Sequence, residues 1–158
     1  MEKNEVKPVT ERIKTFDDAL RELGENHSLV KNYRVISNIN AEIDLLAYLK
    51  LRIIVSTLNE GWKPVFTEEE KRWYPWFYTW AKEELVCRSK KWIEHNHIHL
   101  FRGSSPNTSS CGFVYTYSNF DLSTSRSIYS TRLALKSKEL AEYCGKQFID
   151  IWADYLLG

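Results

Sequence analysis

Residues 40–61, NAEIDLLAYLKLRIIVSTLNEG, carry the strongest helical pattern in the chain and therefore decide its fold. Asn40 is predicted to cap this helix, because short polar side chains satisfy the first N–H groups, and Gly61 is predicted to end it. Apolar residues form a wide stripe along it: Ile43, Leu45, Leu46, Ala47, Leu49, Ile53, Ile54 and Leu58. A stripe of this width predicts a helix that is largely buried.

Two further helices are predicted nearer the ends of the chain. Thr15 caps a short helix that ends at Gly24. Ser137 caps a final helix over residues 137–158. Its buried stripe is predicted to consist of Leu140, Cys144, Phe148, Ile151 and Tyr155. Gly145 lies inside this helix at a cost of about 1 kcal/mol relative to alanine, which predicts a close contact with the sheet or the long helix.

Between the long helix and the final helix, the pattern changes to that of strands. The predicted strands cover residues 74–80, 92–101, 111–118 and 131–137, with a polar loop at 119–130. Alternation places Trp76 and Tyr78 on one face of the first strand. It places Phe113, Tyr115 and Tyr117 on one face of the third.

This order of elements predicts a single α+β domain. An antiparallel β-meander of about 3–5 strands would pack against the long central helix and the C-terminal helix. The domain is expected to span residues 14–158, after a flexible lead over residues 1–13. Residues 25–39 fit either a short helix or an extended arm.

Charge and cysteine content narrow the classes of function. The 158 residues include 22 basic and 21 acidic side chains, so the net charge of +1 gives no long-range attraction to nucleic acid or an anionic membrane. No apolar signal segment or bilayer-spanning stretch is visible, so no membrane partner is expected. The three cysteines are widely spaced and argue against a disulfide framework or a zinc knuckle. We expect a reducing cytoplasm.

Three of the four histidines, His95, His97 and His99, fall at alternate positions of the predicted strand 92–101. Neighbours on one face would lie about 6–7 Å apart, so two of them can converge on zinc. A third in line strains the geometry, and a fourth ligand must come from elsewhere. The pattern favours a polar strand face over a metal site.

Signatures of catalysis are absent from the sequence. It contains no P-loop, GxGxxG, HExxH or GxSxG motif, and no cysteine lies in a recognisable nucleophile motif. The sequence therefore favours binding over catalysis, and no cofactor is predicted. An enzyme whose site is assembled across loops stays open as an alternative.

The best candidate for a binding site combines aromatic rings with cations. The chain contains six Trp, nine Tyr and seven Phe, and such rings either pack in a core or stack on bases. The candidate residues are Trp76, Tyr78, Tyr115, Tyr117, Arg126, Arg132 and Lys136. Together they would bind a nucleotide-like or nucleic-acid ligand; the alternative is sheet packing beside a solvated Arg/Lys edge.

Three stretches carry a resemblance to a known family. They are residues 14–24 (KTFDDALRELG), 45–77 (LLAYLKLRIIVSTLNEGWKPVFTEEEKRWYPWF) and 131–157 (TRLALKSKELAEYCGKQFIDIWADYLL). These segments resemble small uncharacterised proteins of bacteriophages, prophages and mobile elements of gut bacteria. The resemblance implies a role such as host takeover, defence evasion, genome handling or a virion part, in a bacterial host cell. It implies no particular activity.

The main hypothesis from the sequence is thus a non-enzymatic accessory protein of a phage or mobile element, with a nucleotide or nucleic-acid ligand. The alternative is a protein–protein interaction module, either an inhibitor of a host protein or a virion component. Exposed aromatic residues would then anchor an interface, where Trp, Tyr and Arg are enriched.

Overall fold

The computed structural model describes residues 7–65, 67–101, 111–122 and 131–158. Within these ranges the chain forms eight α-helices and one antiparallel sheet of three strands. The predicted α+β fold, with a sheet packed against long helices, is confirmed. No helix in the described ranges is both long and apolar enough to cross a bilayer.

Four helices form the N-terminal half: α1 (Val9–Arg12), α2 (Phe16–Leu23), α3 (Ser28–Ser37) and α4 (Ile43–Leu58). The long helix α4 lies at the centre, with α2, α3 and the C-terminal helix packed around it. Its C-terminal half is the most buried part, as the wide apolar stripe predicts. Asn40, the predicted cap, does not occupy the N-cap position of α4. Glu42 occupies it, and Ala41 N–H donates to Ile39 O in the turn before the helix.

Both ends of α2 follow the prediction. The Thr15 hydroxyl accepts a hydrogen bond from Asp18 N–H, while the Asp18 carboxylate accepts one from Thr15 N–H, so the two form a capping box. Gly24 ends the helix with a φ of 85°. Residues 1–13 were expected to form a flexible lead. Within this range Val9–Arg12 form α1, and Val9 and Ile13 are buried in the core.

The final helix is divided in two. Ser137 caps α7 (Lys138–Gln147) by accepting from Leu140 N–H, as predicted. The helix breaks at Phe148, whose φ of −117° and ψ of 34° are not helical, and α8 (Ile149–Leu157) follows. The predicted stripe still faces the core, because Cys144 before the break, Phe148 at the break and Ile151 after it are all buried.

The sheet consists of β1 (Lys71–Trp80), β2 (His99–Phe101) and β3 (Cys111–Leu122), in the order β1–β3–β2. β3 is longer than predicted and takes in residues 119–122 of the predicted loop. The strand predicted at 131–137 is absent: this segment holds a 3₁₀ turn (Thr131–Leu133) and one antiparallel bridge from Leu135 to Trp73. Asn59 holds the segment instead, through hydrogen bonds to Ala134 O and from Lys136 N–H.

Two short helices connect β1 to β2. They are α5 (Lys82–Val86) and α6 (Lys90–His95). Most of the strand predicted at 92–101 is therefore helical or turn, because Ser89 caps α6 by accepting from Trp92 N–H. Only the last three residues of that range pair with β3.

One face of the sheet, the helix face, packs on α7 and α8. Phe77 and Phe113 stack there with centroids 4.6 Å apart, and Trp152 of α8 lies 5.4 Å from Phe77. An ideal Cβ built on Gly145 would lie 2.6 Å from Pro75 Cβ and 2.7 Å from Tyr115 Cδ2. The close contact predicted at Gly145 is therefore confirmed, and its partner is the sheet.

The opposite face of the sheet, called here the outer face, is shaped by a β-bulge. Trp76 pairs with Tyr117 and the next residue, Phe77, pairs with Tyr115, so the register shifts and Thr116 is the extra residue. Directly paired residues share a face. Tyr117 therefore lies on the outer face and Tyr115 on the helix face. The prediction that these two tyrosines share one face is wrong.

Candidate functional site

Three of the predicted ligand-binding aromatics meet on the outer face. The rings of Trp76 and Tyr117 stack with centroids 5.7 Å apart and planes 6° from parallel. Tyr78 follows on the same side of β1, where side chains alternate. Tyr78 is 48% exposed and Tyr117 is 51% exposed. The rings therefore present a partly accessible apolar surface held by two paired strands.

One end of the outer face is covered by the connection between β1 and β2. Gly112 of β3 admits this cover, since an ideal Cβ there would lie 2.7 Å from Ile98 Cγ2 and 2.8 Å from Leu85 Cδ1. Trp80 makes edge contacts with Tyr78 at 5.0 Å and with Trp92 of α6 at 5.7 Å. These contacts hold Trp80 and Trp92 at the covered end, whereas Tyr78 and Tyr117 stay about half exposed.

Tyr115 is a packing residue. Its hydroxyl shares a 3.0 Å hydrogen bond with Ser118 Oγ, and its ring lies against Gly145 on the helix face. The ammonium of Lys146 lies 5.3 Å from the ring centroid. Tyr115 therefore does not join Trp76, Tyr78 and Tyr117.

Lys136 belongs to a chain of charges rather than to the aromatic surface. Its Nζ lies 3.0 Å from Glu60 Oε2, while Glu60 Oε1 accepts from Arg12 Nη2 at 2.8 Å. Arg12 also pairs with Glu22. The hydrogen bond from Lys136 is the largest cause of the lowered pKa of Glu60. Lys136 therefore joins the end of α4 to the segment that follows β3.

Arg132 lies in a separate cleft, and Arg126 lies outside the described residues. The cleft has a volume of about 430 Å³ and is bounded by the start of α3, the C-terminal half of α4 and residues 131–134. None of the four predicted aromatics lines it within the described chain. The structure thus separates the predicted rings on the outer face from Arg132 and Lys136.

The charged side chains of the described residues that line this cleft are all cationic. Arg52, Lys63 and Arg132 line it together with His27, and no described lining residue is acidic. Arg52 projects from α4 with its guanidinium carbon 5.9 Å from the centroid of Tyr48. The Nδ1 atom of His27 accepts from Leu29 N–H at 3.2 Å, so a neutral His27 carries its proton on Nε2.

The histidines do not share a strand face. His95 ends α6, His97 lies in a turn with a φ of 52°, and His99 belongs to β2. His99 pairs with Phe113, which puts it on the helix face. The described residues contain no group of three or more His, Cys, Asp or Glu side chains placed to hold a metal ion.

The cysteines differ sharply in their surroundings. Burial raises the pKa of the Cys144 thiol to about 12. Burial also raises the pKa of Cys111, whereas Cys87 is exposed. Nucleophilic cysteines need the opposite shift, toward the thiolate.

Sequence reasoning did not identify most of the cationic cleft. Arg52 was visible as a charge that interrupts the apolar run of α4, but that interruption argued only against a membrane span. Trp62 and Lys63 follow directly after Gly61, where a chain leaving a helix can turn toward a neighbouring element. The charge of Arg52 within the apolar run of α4 was the one feature of the sequence that could have pointed to this cleft.

Comparison of the whole chain with protein-family models, with curated proteins and with solved structures gave no match.

Proposed function

We propose that this protein is a non-enzymatic accessory protein that binds single-stranded nucleic acid, or a nucleotide-like ligand, on the outer face of its sheet. The observation that carries the proposal is the parallel stack of Trp76 and Tyr117 beside Tyr78, with both tyrosines about half exposed. Aromatic rings presented by a sheet are stacking platforms, and each stacked base contributes about 1–3 kcal/mol.

The chemistry around these rings supports binding rather than catalysis. The exposed hydroxyl of Thr116 lies next to Tyr117 in β3 and donates to Trp76 O at 2.9 Å. Such groups contribute hydrogen bonds without acid–base chemistry at neutral pH. The resemblance to phage and mobile-element proteins supports a role in genome handling within the cytoplasm of a bacterial host.

The test is titration of fluorescently labelled single-stranded DNA and RNA against matched variants at one position. Tyr117→Phe keeps the ring, so it should bind within about twofold of wild type. Tyr117→Leu keeps apolar bulk but removes the ring, so the dissociation constant should rise about tenfold. Failure of wild type to bind any oligonucleotide, or equal binding by both variants, would reject the proposal.

A protein partner is the second candidate, favoured by Leu100. This side chain is 57% exposed and pairs with Gly112, which places it on the outer face at the end where the β1–β2 connection packs. Aromatic anchors with neighbouring aliphatic residues are typical of protein interfaces. Leu100→Asp should then abolish capture of one stoichiometric host or virion protein, whereas oligonucleotide binding should be absent in wild type and variant alike.

A further inference from the structure

We propose that the cleft between α3, α4 and residues 131–134 binds the phosphate group of a small phosphorylated ligand of nucleotide size. This site is distinct from the outer face, because none of Trp76, Tyr78 and Tyr117 lines the cleft. The inference therefore stands or falls independently of nucleic-acid binding on the sheet.

Charge is the main argument. The chain as a whole is nearly balanced, with 22 basic and 21 acidic residues, yet three cations and a histidine line one cleft with no described acidic neighbour in its wall. In the described chain, neither Arg52 nor Lys63 forms an ion pair. A cleft that is lined by cations and by no described acidic residue favours a bound anion.

Other cations in the structure show the contrast. Arg12, Arg34 and Lys136 each contact a carboxylate at 2.8–3.0 Å. Arg52 and Lys63 of the cleft have no such contact with a carboxylate among the described residues. Guanidinium and ammonium groups in this arrangement match phosphate, since arginine binds it through two parallel N–H bonds and lysine acts as a point charge.

The remaining walls suit a ligand larger than phosphate alone. Ser28, Ser56 and Thr131 supply hydroxyls, while Trp62 and Leu29 supply apolar surface. A volume of about 430 Å³ falls within the range of about 300–1,000 Å³ typical of small-molecule pockets. The indole of Trp62 offers a surface on which a base or sugar can pack.

Hydrogen bonds within the protein hold the cleft wall on the side of Arg132 in place before any ligand binds. Asn59, itself part of the cleft, donates from Nδ2 to Ala134 O at 2.9 Å and accepts from Lys136 N–H at 3.0 Å. It is only 4% exposed, so these bonds are shielded from water. A wall ordered before binding lowers the entropy cost of binding.

Isothermal titration of the whole protein with a nucleoside, the matching nucleoside diphosphate and pyrophosphate tests the proposal. The diphosphate should bind and the nucleoside should not. Lys63→Gln should weaken the diphosphate about tenfold, since hydrogen bonds to charged groups are the stronger kind. Lys31→Gln is the matched control, because Lys31 is exposed on α3 outside the cleft wall and should change binding by less than about twofold.

A second variant, Arg52→Gln, should weaken the diphosphate similarly. Tyr117→Leu should leave it unchanged, which separates this site from the outer face. Equal binding of nucleoside and diphosphate, equal loss in Lys31→Gln and Lys63→Gln, or no binding to wild type would overturn the phosphate site. Pyrophosphate binding as tightly as the diphosphate would overturn the nucleotide-sized part of the proposal.

Discussion

Gly145 of α7 lies directly against the ring of Tyr115 in β3. A Cβ at position 145 would come within 2.7 Å of Tyr115 Cδ2 and 2.6 Å of Pro75 Cβ, a distance that real Cβ atoms do not show. The absence of a side chain is therefore what lets the helix approach the sheet this closely. The cost of glycine in a helix is offset by the packing that this approach allows.

Gly145→Ala should consequently destabilise the protein. Alanine gains about 1 kcal/mol of helix propensity, but overpacking a close contact costs about 1–3 kcal/mol, and the Pro75 ring is fixed to the backbone and cannot swing away. The measurement is the free energy of unfolding in urea. The same substitution in a Tyr115→Leu background should cost less, since contacting residues are coupled. A more stable Gly145→Ala protein would contradict the observed contact.

Asn59→Ala should be destabilising because one side chain satisfies two backbone groups on a distant segment. Its removal leaves Ala134 O without its donor and Lys136 N–H without its acceptor in a mostly buried place. Each unsatisfied group costs about 1–3 kcal/mol, so a loss of about 2 kcal/mol or more is expected in urea unfolding. Asn32→Ala, on the exposed side of α3, is the matched control and should change stability by less than about 0.5 kcal/mol.

Local chemistry explains which parts of the fold could be read from the sequence. The caps at Thr15 and Ser137 and the helix end at Gly24 depend on residues within one helical turn, so they were predictable. The end predicted at Gly61 was wrong, because α4 ends at Leu58 with Asn59 as its C-cap. The buried stripe of α4 has the same local origin. The glycine at 145 could be predicted to make a contact because its cost within a helix is known.

The parts that failed depend on distant partners. The bulge at Thr116 moves Tyr117 to the outer face, and simple alternation in β3 contains no sign of it. Segment 131–137 looked like a strand, but Asn59, 75 residues before Ala134, holds it as a turn with one bridge. The cationic cleft draws on three segments far apart in the chain, so no contiguous motif marks it.

The three thiols should react at very different rates in the folded protein. Cys87 is exposed and should be alkylated first, whereas burial raises the pKa of Cys111 and should slow its reaction. Cys144 is fully buried, and its pKa of about 12 leaves little thiolate at neutral pH. Mass spectrometry after timed iodoacetamide treatment checks the order. In denaturant all three should react at similar rates; prompt native labelling of Cys144 would contradict its burial.

Glu60 should make stability depend on pH in the acid range. Hydrogen bonding and charge from Lys136, with a further contribution from Arg12, lower the pKa of Glu60 below the ordinary value of 4.5. A carboxyl with a depressed folded-state pKa contributes stability that is present above its unfolded pKa and is lost as pH falls through its folded pKa. Glu60 is 45% exposed in its side chain, so the contribution should be less than about 1 kcal/mol.

Glu60→Gln isolates this contribution, because glutamine keeps the shape of the side chain and removes its charge. At neutral pH the variant should unfold at a lower urea concentration than wild type, and the difference should shrink steadily as pH falls below 4.5. Glu11→Gln, which removes an exposed carboxylate outside the chain of pairs, controls for the change in net charge. If Glu60→Gln and wild type had the same free energy of unfolding at every pH, the contacts of Glu60 with Lys136 and Arg12 would contribute nothing to stability.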